Sequence, residues 1–146
     1  MEKIHCNHLE QISECAKIVI DLCKNSKIWV FQGAMGAGKT TLIKAIASEM
    51  GVVDVVHSPS YGLVNEYEDS TGNIYYHFDF YRIEDPMEAV DIGVEEYFES
   101  GRNCWIEWPE KIEDLMPEQF MKITIREVDR NKREICITKH TNGGSD

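Results

Sequence analysis

The chain is short of positive charge. Its 15 Lys and Arg stand against 26 Asp and Glu, a net charge of −11. Neutralising the phosphates of RNA or DNA takes clustered cations, so tight, unaided nucleic-acid binding is disfavoured. A protein so acidic can still serve an RNA pathway by docking on a partner. Apolar runs of membrane-spanning length are missing. Met1-Glu2-Lys3-Ile4-His5 lacks the apolar core of a secretory signal. The five cysteines, Cys6, Cys15, Cys23, Cys104 and Cys136, form no C-x-x-C pair and are odd in number. Free thiols in a reducing compartment are the expectation, and a cytoplasmic location follows from it. Repeats, linkers and low-complexity tracts are absent as well.

What remains is 146 residues, 42% hydrophobic and 28% charged, enough for one globular domain over residues 1–146. Residues 141–146 read as a flexible tail. In residues 9–24, Ile12, Ala16, Val19, Ile20 and Cys23 recur three and four apart, the signature of an amphipathic helix with Cys15 and Cys23 in the core. Residues 27–32 are a short apolar run ending at Gly33 and read as a buried strand. Leu42, Ile43, Ile46, Ala47 and Met50 mark a second helix, stopped by Gly51.

Farther on, residues 52–57 are rich in Val and read as a strand broken by Ser58-Pro59-Ser60. Residues 63–67 and 73–81 read as a hairpin. In its second arm Tyr76, Phe78 and Phe80 share one face and His77, Asp79 and Tyr81 the other. At Asp85-Pro86-Met87-Glu88 a helix starts, with Asp85 as cap and Glu88 closing a capping box. One or two short helices run on to Ser100. Residues 103–107 form a further strand, and 121–127 with 133–139 a closing antiparallel pair. The sum is an α/β fold with a mixed sheet.

Gly33-Ala34-Met35-Gly36-Ala37-Gly38-Lys39-Thr40 fits G-x-x-x-x-G-K-[ST] at every fixed position. Glycines let backbone N–H groups turn inward against phosphate oxygens. The helix that follows adds its positive end. Lys39 places a cation on the β- and γ-phosphates, and the Thr40 hydroxyl can ligate Mg²⁺, which needs few protein ligands. Two GTPase look-alikes fail on context. Asp69-Ser70-Thr71-Gly72 sits in a hairpin turn, where such residues are expected anyway. Asn131-Lys132-Arg133-Glu134 has Glu where a guanine-binding Asp belongs. A metal-anchoring acid should end a strand beside the loop, and both Asp79 and Glu107 qualify.

Four segments in this order resemble the TsaE family of ATPases in tRNA threonylcarbamoyladenosine synthesis. They are the phosphate loop through Thr41, Ser58-Pro59-Ser60-Tyr61, His77-Phe78-Asp79-Phe80-Tyr81-Arg82, and Ile106-Glu107-Trp108-Pro109-Glu110. The resemblance implies a P-loop NTPase-type three-layer fold with a mixed parallel and antiparallel sheet. It implies ATP and Mg²⁺ as ligands, slow hydrolysis of ATP, and work with a TsaB–TsaD heterodimer, with tRNA reached only indirectly. Carried over by position, Gly36, Ala37, Gly38, Lys39, Thr40 and Thr41 would hold phosphates, and Thr40 with Glu107 would hold Mg²⁺. Ser58-Pro59-Ser60-Tyr61 would form a switch-like loop, with Ser60 sensing the γ-phosphate. Asp79 would lie near the metal or the attacking water, and Trp108 would be exposed beside the nucleotide. Arg133 would lie near the nucleotide. No arginine finger is obvious in the sequence, and Arg82 is only a candidate. Lys39, Asp79 and Glu107 form the expected catalytic set. The family usually carries Thr where this chain has Ser60. Two rival readings use the same loop: a small-molecule kinase, and an adaptor whose surface ATP orders without being hydrolysed.

Overall fold

The computed structural model of the chain describes residues 2–34, 36–57, 59 and 62–141. Of the expected flexible tail 141–146, Thr141 instead ends the last strand and 142–146 lie outside the described residues, as does the expected contact at Ser60. So do Ser58 and Tyr61 of the expected switch-like loop.

Seven strands make one sheet in the order β1-β7-β6-β2-β5-β4-β3. They are β1 (Glu2–Cys6), β2 (Ile28–Gln32), β3 (Val64–Glu68), β4 (Ile74–Asp79), β5 (Asn103–Glu107), β6 (Gln119–Asp129) and β7 (Lys132–Thr141). The four central strands β6, β2, β5 and β4 are mutually parallel, and antiparallel pairs close both edges. Helices α1 (Ile12–Cys23) and α2 (Lys39–Glu49) cover one face, α3 (Met87–Asp91) and α4 (Val94–Phe98) the other. The result is the expected three-layer α/β fold with a mixed sheet.

Strand alternation builds the two cores. In β2, Trp29 and Phe31 pack with Ala16, Val19, Leu42 and Ile46, while Ile28 and Val30 pack with Ala89, Val94 and Ile112 on the other side. Every residue of β5 is buried, as expected for a strand covered on both faces. The stripe read on α1 points inward, with Ala16 and Val19 sealed from solvent. All five cysteines are free. Burial pushes the thiols of Cys15, Cys23 and Cys104 up to about 12, which keeps them unreactive. The capping box at α3 is present: the Met87 amide donates to Asp85 Oδ1 at 3.0 Å and the Asp85 amide to Glu88 Oε2 at 3.1 Å.

Three features depart from the sequence reading. Residues 52–57 form no strand; only Val52 bridges to Asp69. The Asp54 carboxylate accepts the Glu68 amide at 2.8 Å, taking the place of a backbone partner, so pairing along the β3 edge stops there. Val53 and Val55 are left 69% and 82% exposed. Second, β1 was not anticipated. Its five residues bury only Ile4 and Cys6, too little apolar pattern to signal a strand without the β7 edge beside it. Third, a 3-10 turn at Pro109–Leu115 follows β5.

Parallel pairing brings three carboxyl-terminal strand ends to one rim. Phe31 of β2 is in register with Glu107 of β5, and Glu107 with Asp79 of β4. Ligands of open α/β sheets bind outside such strand ends.

Candidate functional site

The phosphate loop leaves β2 at this rim. A Cβ on Gly33 would lie 2.6 Å from the Ile125 carbonyl oxygen, so glycine is required there for close passage against β6. Gly36 and Gly38 take φ of 82° and 109°, a region that other residues avoid. Gly38 opens α2. The loop therefore runs into the positive end of an eleven-residue helix.

A cleft of about 280 Å³ opens on this loop, lined by Gly36, Gly38, Lys39, Thr40, Thr41, Asp79, Tyr81, Glu107 and Trp108. Lys39, although 6% exposed, is partnered: Nζ donates to the Gly33 carbonyl at 2.6 Å and stands 3.8 Å from the centre of the Trp108 ring. Burial lowers its pKa, while Glu107, Glu110 and Asp79 pull the other way. Desolvation raises the Asp79 carboxyl, and the negative field of Glu107 adds to it. The Tyr81 amide donates to Asp79 Oδ1 at 3.0 Å and opposes the shift, as do His77 and Lys39.

Thr40 Oγ1 donates to Glu107 Oε1 at 3.4 Å. These are hard oxygen donors from the helix start and the strand end, the donor type that Mg²⁺ takes alongside phosphates and water. Among the described residues no three His, Cys, Asp or Glu side chains gather to hold a metal unaided. The pair thus fits an ion that arrives with a polyphosphate better than one held in a protein cage.

Trp108 is half-buried rather than exposed, and its ring lies tilted at 48° to that of Tyr81, with centroids 5.0 Å apart. Its φ of 59° makes it the one described non-glycine residue in the left-handed region. Such a conformation costs on the order of 1–3 kcal/mol and collects at functional sites. Arg133 reaches the loop: Nε donates to the Ala37 carbonyl at 2.9 Å, tying the β6–β7 end to the helix start. Arg82 is exposed and does not line the cleft.

Apart from Arg133, which it named, two groups of residues escaped the sequence reading. A smaller cleft of about 130 Å³ lies on the other side of Gly38 and Thr41, lined by Cys6, Ile12, Ile125, Arg130, Asn131 and Arg133. It draws on β1, which carried no strand signal. Behind Glu107, His77 Nε2 lies 2.8 Å from Oε2, and Tyr67 Oη lies 3.0 Å from His77 Nδ1. The shared strand face of His77 and Asp79 was readable. The position of Tyr67 depends on the hairpin register, which was not.

Residues 6–135 match the family model described as threonylcarbamoyl adenosine biosynthesis protein TsaE. The chain is 35% identical over 129 residues to the Bacillus subtilis tRNA threonylcarbamoyladenosine biosynthesis protein TsaE, covering 88% of this chain and 80% of that one. It is 38% identical over 130 residues to the Haemophilus influenzae protein of the same name, covering 88% and 81%. A crystal structure of Bacillus subtilis YdiB superposes with a TM-score of 0.74 at 28% identity, over 97% of this chain and 86% of that one.

Proposed function

The chain belongs to the TsaE family, and from that premise we propose that it serves tRNA threonylcarbamoyladenosine biosynthesis as a Mg²⁺-dependent ATPase supporting a TsaB–TsaD complex. The observation that carries the reading is one convergence. Lys39, Thr40, Asp79 and Glu107 line a single cleft at the ends of three parallel strands, on a glycine loop that opens a helix.

On this reading the phosphates lie along the loop amides of residues 36–41. Lys39 leaves the Gly33 carbonyl and puts its ammonium on the β- and γ-phosphates, neutralising charge as the terminal P–O bond breaks. A magnesium ion held by Thr40 and Glu107 would add further charge neutralisation there. Glu107 faces Thr40 with one oxygen and His77 with the other. Asp79 commits Oδ1 to the Tyr81 amide. Asp79 is therefore the better placed of the two to orient the lytic water, and its raised pKa suits a group that handles a proton. The smaller cleft beside Gly38 takes the nucleoside end, with Arg133 at its border. Partner binding orders the site, so hydrolysis is slow alone and faster in the assembly. With a net charge of −11, contact with tRNA runs through the partners.

The test is phosphate release from ATP by the chain alone and with TsaB, TsaD and tRNA, for wild type, Lys39→Ala and Glu107→Ala. The expected result is stimulation by the complex and loss of on the order of 100-fold in either variant. Unchanged turnover in both variants would reject the site. A phosphorylated small-molecule product would favour the kinase reading. Modification supported equally by a non-hydrolysable analogue would favour the adaptor.

A further inference from the structure

Behind the cleft a line of polar groups, buried from Glu107 to Tyr67 and surfacing at His57, leads away from the phosphate loop. Glu107 Oε2 meets His77 Nε2 at 2.8 Å, and His77 Nδ1 meets Tyr67 Oη at 3.0 Å. Tyr67 Oη lies 2.8 Å from the His57 carbonyl and 3.2 Å from its amide nitrogen. Asn65 Nδ2 donates to the same carbonyl at 2.9 Å. His77 is fully buried, Glu107 2% exposed and Tyr67 3%. The line joins the β5 strand end to residues 52–57, which lack strand pairing beyond Val52.

Its hydrogens are constrained. A carboxylate at Nε2 makes that nitrogen the donor, and in the neutral ring Nδ1 then accepts. The Tyr67 hydroxyl supplies that donor, yet it has one proton and two acceptors, Nδ1 and the His57 carbonyl. Turned to Nδ1, it leaves His57 to Asn65; turned to His57, it deserts the ring. A hydroxyl contested between the buried Nδ1 and the carbonyl of the exposed His57 has two orientations open to it, and both ends bias the choice. A ligand that draws Glu107 toward Thr40 alters what the ring asks of Tyr67, and so the hold on His57.

Resting on the reading of Glu107 as part of a magnesium–nucleotide site, we propose that His77 and Tyr67 are positioning residues. They couple the Glu107 carboxylate to the backbone at His57, so that filling the cleft changes the anchoring of residues 52–57. Nothing in this needs a change of net protonation; the coupling is a redistribution of hydrogen bonds.

The experiment is amide hydrogen exchange of the full chain, with and without magnesium and a non-hydrolysable ATP analogue, on wild type and Tyr67→Phe. Phenylalanine keeps the ring contact with Trp105, at 6.3 Å between centroids, and removes only the hydroxyl. In wild type the ligand is expected to protect residues 39–49 and to change exchange at 52–57 by on the order of tenfold. In Tyr67→Phe the first response stays and the second disappears. Equal responses at 52–57 in the two proteins would overturn the coupling while leaving the nucleotide site intact. No ligand response at 39–49 in wild type would instead overturn the nucleotide site, and the coupling with it. Should Tyr67→Phe fail to fold, the ¹⁵N shifts of the His77 ring in wild type decide. An unprotonated Nδ1 whose shift moves on ligand addition supports the coupling, and ring shifts indifferent to ligand refute it.

Discussion

At Gly33 the loop runs so close to β6 that a methyl group would sit 2.6 Å from a backbone oxygen, with Ile125 Cγ2 at 3.0 Å. Backbone cannot yield as a side-chain tip can. Gly33→Ala is expected to cost about 2 kcal/mol, read as a lowered denaturation midpoint at unchanged slope. Asp79 presents the opposite balance. Its carboxyl is raised by desolvation and by Glu107, so the folded state holds the proton more tightly than the unfolded chain does. That stability is present below the unfolded carboxyl pKa and is lost as pH rises through the folded one. Asp79→Asn, which keeps an oxygen for the Tyr81 amide, should raise Tm at pH 7 by roughly 2 °C while abolishing turnover. The gain should fade toward pH 4 in thermal melts; screening keeps it small. Lys39, Thr40, Asp79 and Glu107 were readable at this scale because motif spacing and strand ends mark them. Tyr67 was not, because its role exists only through its register opposite His77.

Among the elements, the hairpin turn between β3 and β4 hangs on one side chain. Asp69 accepts from the Thr71 amide and hydroxyl, the Asn73 amide and side chain, and the Tyr75 hydroxyl, all within 3.0 Å. Desolvation pushes its carboxyl up, but the hydrogen bonds from Asn73 and Thr71 outweigh this and hold it below the usual range. Asp69→Ala leaves the Tyr75 hydroxyl without that acceptor and should lower Tm by on the order of 5 °C at pH 7. Because the folded pKa is depressed, the penalty is full above the unfolded carboxyl pKa of about 4 and shrinks as pH falls below it. Thermal melts of both proteins across that range check the sign. The D-x-x-G look-alike is thereby explained as turn chemistry. Elements with internal signals were readable: the α1 stripe, the β2 run into Gly33, the capping box at α3. Those defined by their neighbours were not. β1 exists because the β7 edge accepts it. Residues 52–57 have strand composition but lose their backbone partner to the Asp54 side chain.

Over the whole molecule, three layers serve to bring the ends of β2, β5 and β4 to one rim, where the loop and its helix begin. The mixed sheet followed from hairpins flanking a strand–loop–helix unit, but its order did not, since pairing across the middle is non-local. The net charge of −11 disfavours tight, unaided binding to nucleic-acid phosphates. Among the described residues no helix is long and apolar enough to cross a membrane. The central claim, that this rim grips a magnesium–nucleotide polyphosphate, is tested most directly by calorimetric titration of the full chain with ATP analogue and Mg²⁺. The account predicts one saturable site per chain, weakened at least about tenfold by Lys39→Ala. No heat of binding in wild type, or equal affinity in the variant, would contradict it.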